Sequence, residues 1–205
     1  MATAADQAYL VDAVSSLCGV LHEGIEVARE IAEGHFGDYE MTDPEYGAGT
    51  THLTRFHARR VLKTLDLGEW EIAKPRPNGQ VLLRNELLLL RILHEWPENS
   101  VPPPGHNTAR IDFYRNPDLG LHGVKASKLI AVWRRAPEGE VSIRIIRPIG
   151  KWKLGKVAKF DISFPLHRSG LSDLEFVPDD SGMNVLLPFE AEEEGEKGNE
   201  QPLGG

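Results

Sequence analysis

The sequence predicts an α+β protein whose N-terminal helices pack on an antiparallel β-meander, with a disordered acidic C-terminal tail. Three observations predict it. Apolar residues recur at spacings of three and four near the N-terminus, short alternating runs crowd the region after Gly105, and the chain from Glu190 onward is almost wholly polar. The 205 residues therefore divide into a single domain over 1–190, helical in 1–105 and basic and β-rich in 106–190, and a tail over 191–205.

Leu10, Val14, Leu17, Leu21, Ile25, Ala28 and Ile31 form one helical stripe, which predicts an amphipathic helix from Ala5 to about Glu33 with Gly34 as its stop. Gly19 and Gly24 weaken its middle and mark a bend or a close helix crossing. Residues 35–49, rich in Gly, Asp, Glu and Pro, read as a loop. Thr51 then caps a second helix, His52 to Leu65. Its polar face carries His52, Arg55, Arg59 and Lys63; a solvated surface is the ordinary reading of such a stripe, and a phosphate-facing helix is the alternative.

Asn78-Gly79 between Trp70–Ile72 and Val81–Leu83 is a hairpin signal. Glu86 to Trp96 is apolar nearly all round, and its length and Leu-rich composition favour a buried helix over a buried strand. Val101-Pro-Pro-Pro-Gly105 makes a stiff connector. Strands are expected at Arg110–Arg115, Leu129–Trp133, Val141–Ile146 and Lys159–Phe164. The second and third of these form a hairpin across Ala136–Glu140, and Leu174–Val177 and Asn184–Leu187 are candidates to extend the meander.

Charge is strongly segregated. Residues 1–105 hold 9 Lys and Arg against 16 Asp and Glu, residues 106–168 hold 13 against 5, and residues 169–205 hold 1 against 10, so a net charge of −8 conceals a basic block. Alternation turns Arg144 and Lys159 away from their apolar neighbours. Together with Arg134, Arg135, Arg147, Lys151, Lys153 and Lys156, and with Trp152 as a stacking residue, they compose a candidate surface for nucleic acid or an acidic protein partner. The acidic tail could compete for that surface or simply maintain solubility.

Catalytic patterns are sparse. The chain has no glycine-rich phosphate loop, no nucleophile elbow and no His-Glu-x-x-His helix, so no cofactor is expected. Cys18 is the sole cysteine, which excludes an intrachain disulfide. The chain shows neither a secretory signal nor a run of apolar residues long enough to span a bilayer; a cytoplasmic location and no membrane partner are expected. His22 and Glu26 stand four apart, a spacing that can share a metal or a simple pair on one helix face. The resulting expectation is a non-enzymatic binding protein. One alternative is a nuclease or other hydrolase using His106, Asp112 and His122. Another is a protein-interaction adaptor or antitoxin-like partner that forms a homodimer through the Leu10–Ile31 stripe of its N-terminal helix. The terminal Leu203-Gly204-Gly205 resembles the conjugation end of ubiquitin-like proteins over those three residues, while the rest of the chain departs from that fold in length and in its helical first half.

Overall fold

The computed structural model describes residues 4–37, 44–74, 80–95, 101–103, 108–115, 127–135, 139–150 and 159–170. All of them belong to the unit Met1–Glu175; Phe176–Gly205 forms a second unit. The tail and the candidate strands at Leu174–Val177 and Asn184–Leu187 lie outside the described residues.

The N-terminal stripe folds as two helices, α1 (Ala4–Ser15) and α2 (Cys18–Gly34), separated by a turn at Ser16–Leu17. The Trp70 indole N–H donates to the Ala13 carbonyl at 3.1 Å, and this covers an acceptor left without an intrahelical partner where α1 ends. Beyond the turn the stripe continues: Leu10, Val14, Leu17, Leu21, Ile25 and Ala28 are at most 1 % exposed. Gly24 marks a close helix crossing, since a Cβ there would lie 2.5 Å from Leu62 of the next helix.

That helix, α3 (Pro44–Leu62), starts seven residues before the expected cap at Thr51. Proline suits a first helical turn because its missing N–H would have no partner there. Gly49 reads as a loop residue in sequence but sits mid-helix, where its bare Cα accommodates the Phe36 ring; a Cβ would come within 2.5 Å of that ring's Cζ. Thr50 and Thr54 are tolerated because their hydroxyls donate to the carbonyls of Tyr46 and Thr50, both at 2.7 Å.

Six strands follow: β1 (Glu71–Ile72), β2 (Val81–Arg84), β3 (Leu88–His94), β4 (Ser127–Arg135), β5 (Val141–Pro148) and β6 (Phe160–Leu166). They lie in sequence order in one sheet, antiparallel except for the β3–β4 pair. The hairpins β1–β2 and β4–β5 and the β4-β5-β6 meander agree with the sequence reading.

Two elements correct that reading. The segment expected as a buried helix contains β3, which is hydrogen-bonded to a strand on each side and, Arg91 apart, apolar over most of its length because both its faces are covered. The segment expected as a strand at Arg110–Arg115 is instead the helix α4 (Thr108–Tyr114). Its anchor is Tyr114, fully buried, whose hydroxyl donates to the Pro102 carbonyl at 2.7 Å. Ile111 and Phe113 alternate by coincidence, each remaining only partly buried. This helix lies between β3 and β4, which accounts for their parallel pairing: a parallel connection needs a crossover.

The sheet is packed on both faces. Leu83, Leu90, Leu129, Ile143 and Phe164 share the main core with α1, α2 and α3. On the other side Ile130, Val132 and Ile146 pack with Val101, Phe113 and Tyr114 in a smaller cluster. Among the described residues, no helix is long and apolar enough to cross a membrane.

Candidate functional site

The period-2 alternation of the strands sorts their charges. Residues 81, 83, 88, 90, 92, 129, 131, 133, 141, 143 and 145 point into the main core. The intervening positions include Arg84 on β2, Arg91 on β3, Lys128 and Arg134 on β4, and Arg144 on β5, which therefore share the face opposite α1–α3. Glu71 pairs with Arg84 on that face, and Glu95, one residue past β3, meets Arg134 and Arg144. Among the described residues of these strands and Glu95, five cations thus face two carboxylates.

Each cation has a distinct environment. Arg91 is 5 % exposed and lies with its guanidinium carbon 5.8 Å from the Phe113 ring centroid, where α4 covers the sheet. Lys128 donates to the Asp112 carbonyl at 2.7 Å. Burial pushes its ammonium pKa below the ordinary value, and the negative charge of Asp112 opposes that shift. Arg134 and Arg144 have side chains 48 % and 29 % exposed and form the open end of the face.

The remaining sequence-nominated residues distribute differently. Arg135 extends toward α2, where Glu33 lies 3.5 Å away. Arg147 is 4 % exposed and held by both oxygens of Asp161, with Nε to Oδ1 at 2.8 Å. The cause is a bulge: Ile162 opposes Arg147 and Phe160 opposes Pro148, so Asp161 is an extra residue that meets the guanidinium. Its guanidinium therefore serves the β5–β6 pairing and is withdrawn from solvent. Lys159 is exposed immediately before β6. Lys151, Trp152, Lys153 and Lys156 lie outside the described residues.

Comparison with protein-family models, with curated proteins and with solved structures finds no match.

The basic stripe on α3 is partly structural. Arg59 donates to the carbonyls of Ala73 and Gln80, at 3.1 and 3.3 Å, bracing the β1–β2 hairpin, while Arg55 approaches His52 Nδ1 at 3.0 Å and lies over Phe56. A cavity of about 280 Å³ opens between α2 and the ends of β5 and β6, lined by His22, Glu26, Glu140, Ser142, His167 and Arg168 among others. His22 Nε2 donates to the Leu166 carbonyl at 2.7 Å, and Arg168 binds Glu26 at 2.7 Å, so the pair spaced four apart on α2 clasps the end of β6. Among the described residues, no group of three or more His, Cys, Asp or Glu could hold a metal ion. Asp112 is exposed and paired with Arg115 at 3.3 Å; His106 and His122 lie outside the described residues.

Sequence reasoning missed Arg84, Arg91, Lys128 and Glu95. The alternation around Val81-Leu-Leu-Arg84 and Ser127-Lys-Leu129 carried the signal for two of them. Arg91 and Glu95 were hidden because their segment reads as a helix. The apolar stripe considered for a partner helix is largely buried in the chain's own core, leaving Val27 and Ile31 exposed on α2 at 37 % and 40 %.

Proposed function

We propose that this chain is a non-enzymatic binding protein that holds nucleic acid on the sheet face opposite α1–α3. One observation carries the reading: Arg84, Arg91, Lys128, Arg134 and Arg144 share that face, while the opposite face is the main apolar core. Fixed cations on a rigid sheet suit a polyanion, because they neutralise phosphates and release condensed counterions without first having to be ordered. Guanidiniums are especially apt, since their planar forks match phosphate oxygens. Arg134 and Arg144 are the residues assigned to phosphate contact.

The test is fluorescence anisotropy of labelled single- and double-stranded DNA and RNA with the full chain across 50–200 mM salt, repeated with the double variant Arg134→Glu/Arg144→Glu. Binding that weakens with salt is expected. In the double variant, affinity falls and the slope of log affinity against log salt becomes shallower by about two units, about one per lost phosphate contact. Unchanged binding in the double variant overturns the assignment, and an acidic protein partner then becomes the competing reading of the face.

A further inference from the structure

Glu95 lies at the open end of the cationic face, in a position fixed by the backbone. Its N–H donates to the Trp133 carbonyl at 2.8 Å, continuing the β3–β4 pairing one residue past β3. The side chain, 11 % exposed, directs Oε2 to Arg134 Nε at 3.4 Å and Oε1 to Arg144 Nη2 at 3.6 Å. One carboxylate thus bridges guanidiniums from two neighbouring strands, each oxygen engaging a different one.

The distances matter. Charge-assisted N–H···O bonds normally measure about 2.7–2.9 Å. At 3.4 and 3.6 Å the bridge lacks the short geometry of a fully closed ion pair, whereas the Arg147–Asp161 pair on the next hairpin closes to 2.8 Å at Nε. Both arginine side chains also keep solvent contact, so a second anion can approach them from solvent and compete with Glu95 for them.

We propose that Glu95 is an internal anion seated between Arg134 and Arg144, which a phosphodiester of the bound nucleic acid competes with for the same two guanidiniums. The proposal rests on the nucleic-acid reading of this face and adds the group that sets its affinity. Glu95 holds the two forks together before binding and repels phosphate, so it weakens binding. A merely structural Glu95 would have no such effect on affinity.

The experiment compares the full-length chain with Glu95→Gln and with Arg134→Glu/Arg144→Glu, using fluorescein-labelled DNA and RNA oligonucleotides. Removing one negative charge beside a phosphate is expected to tighten binding by about 3- to 10-fold at 50 mM salt, with a smaller gain at 200 mM as screening grows. Unchanged or weaker binding in Glu95→Gln overturns the proposal. If the arginine double variant still loses binding in that case, the nucleic-acid reading survives without the role for Glu95. If neither substitution changes binding, both fall. A second measurement needs no variant: the Arg134 Nε–Hε NMR signal of the wild-type chain should shift as oligonucleotide displaces the carboxylate. An invariant signal at saturation also overturns the proposal.

Discussion

At the scale of single residues, two sites show how much a local environment decides. Arg147 and Asp161 have side chains 5 % and 9 % exposed and pair through Nε and Nη2 at a bulge. Removing one partner leaves a buried charge uncompensated, so Arg147→Met is expected to cost about 3–5 kcal/mol in urea unfolding. Arg147→Met/Asp161→Leu should recover most of that loss, because an apolar pair replaces a desolvated ionic one. A double variant no better than the single would show that the ionic geometry itself is required. Gly24 is the second site. Replacing it with Ala gains about 1 kcal/mol of helix propensity but places a Cβ 2.5 Å from Leu62, a fully buried side chain with little room to retreat. Overpacking of about 1–3 kcal/mol should win, so Gly24→Ala should lower the urea midpoint. A raised midpoint would mean that α2 and α3 can separate at this crossing.

At the scale of elements, the parts legible in the sequence were those whose pattern has one cause. The stripe of α1 and α2 and the alternation of Ile162, Phe164 and Leu166 on β6 each follow from one buried face, and the β4–β5 hairpin follows from the short Gly-containing connector between two apolar runs. The segment Glu86–Trp96 fails that condition, because a central strand covered on both faces loses its alternation and reads like a buried helix. What distinguishes it is Asn85, whose Oδ1 accepts the N–H groups of Leu87 and Leu88 at 3.0 and 2.7 Å. The same bonds could have begun a helix; the Asn85 N–H donating to the Leu88 carbonyl closes a hairpin turn instead. Asn85→Ala should therefore cost about 1–2 kcal/mol, read as a lower thermal midpoint, while Asn85→Asp keeps the acceptor and most of the stability. Equal losses in the two variants would show that the amide, and not the acceptor oxygen, holds the turn. The site was legible to the same degree as its strands: Arg134 and Arg144 could be oriented by alternation, but the bulge that withdraws Arg147 has no sequence signal, because an inserted residue looks like any other.

At the scale of the whole molecule, the described sheet gathers cations on one face from both the basic block and the acidic first half, Arg84 and Arg91 coming from the latter. One face lies against α1, α2 and α3 with an apolar core, and the other gathers cations from four consecutive strands. Helix α4 covers part of that second face, from Arg91 to Lys128, and leaves the Arg134–Arg144 end open. The location of binding is thus as informative as its occurrence, because Arg60 in the last turn of α3 and Lys63 immediately after it are also exposed basic residues. The most direct measurement is oligonucleotide affinity at 50 mM salt for three full-length proteins: wild type, Arg134→Glu/Arg144→Glu, and Arg60→Glu/Lys63→Glu. The account predicts at least a tenfold loss for the sheet variant and a loss of less than about threefold for the helix variant, since phosphate contacts outweigh distant screened charges. Equal losses in the two variants, or a loss confined to the helix variant, would contradict it.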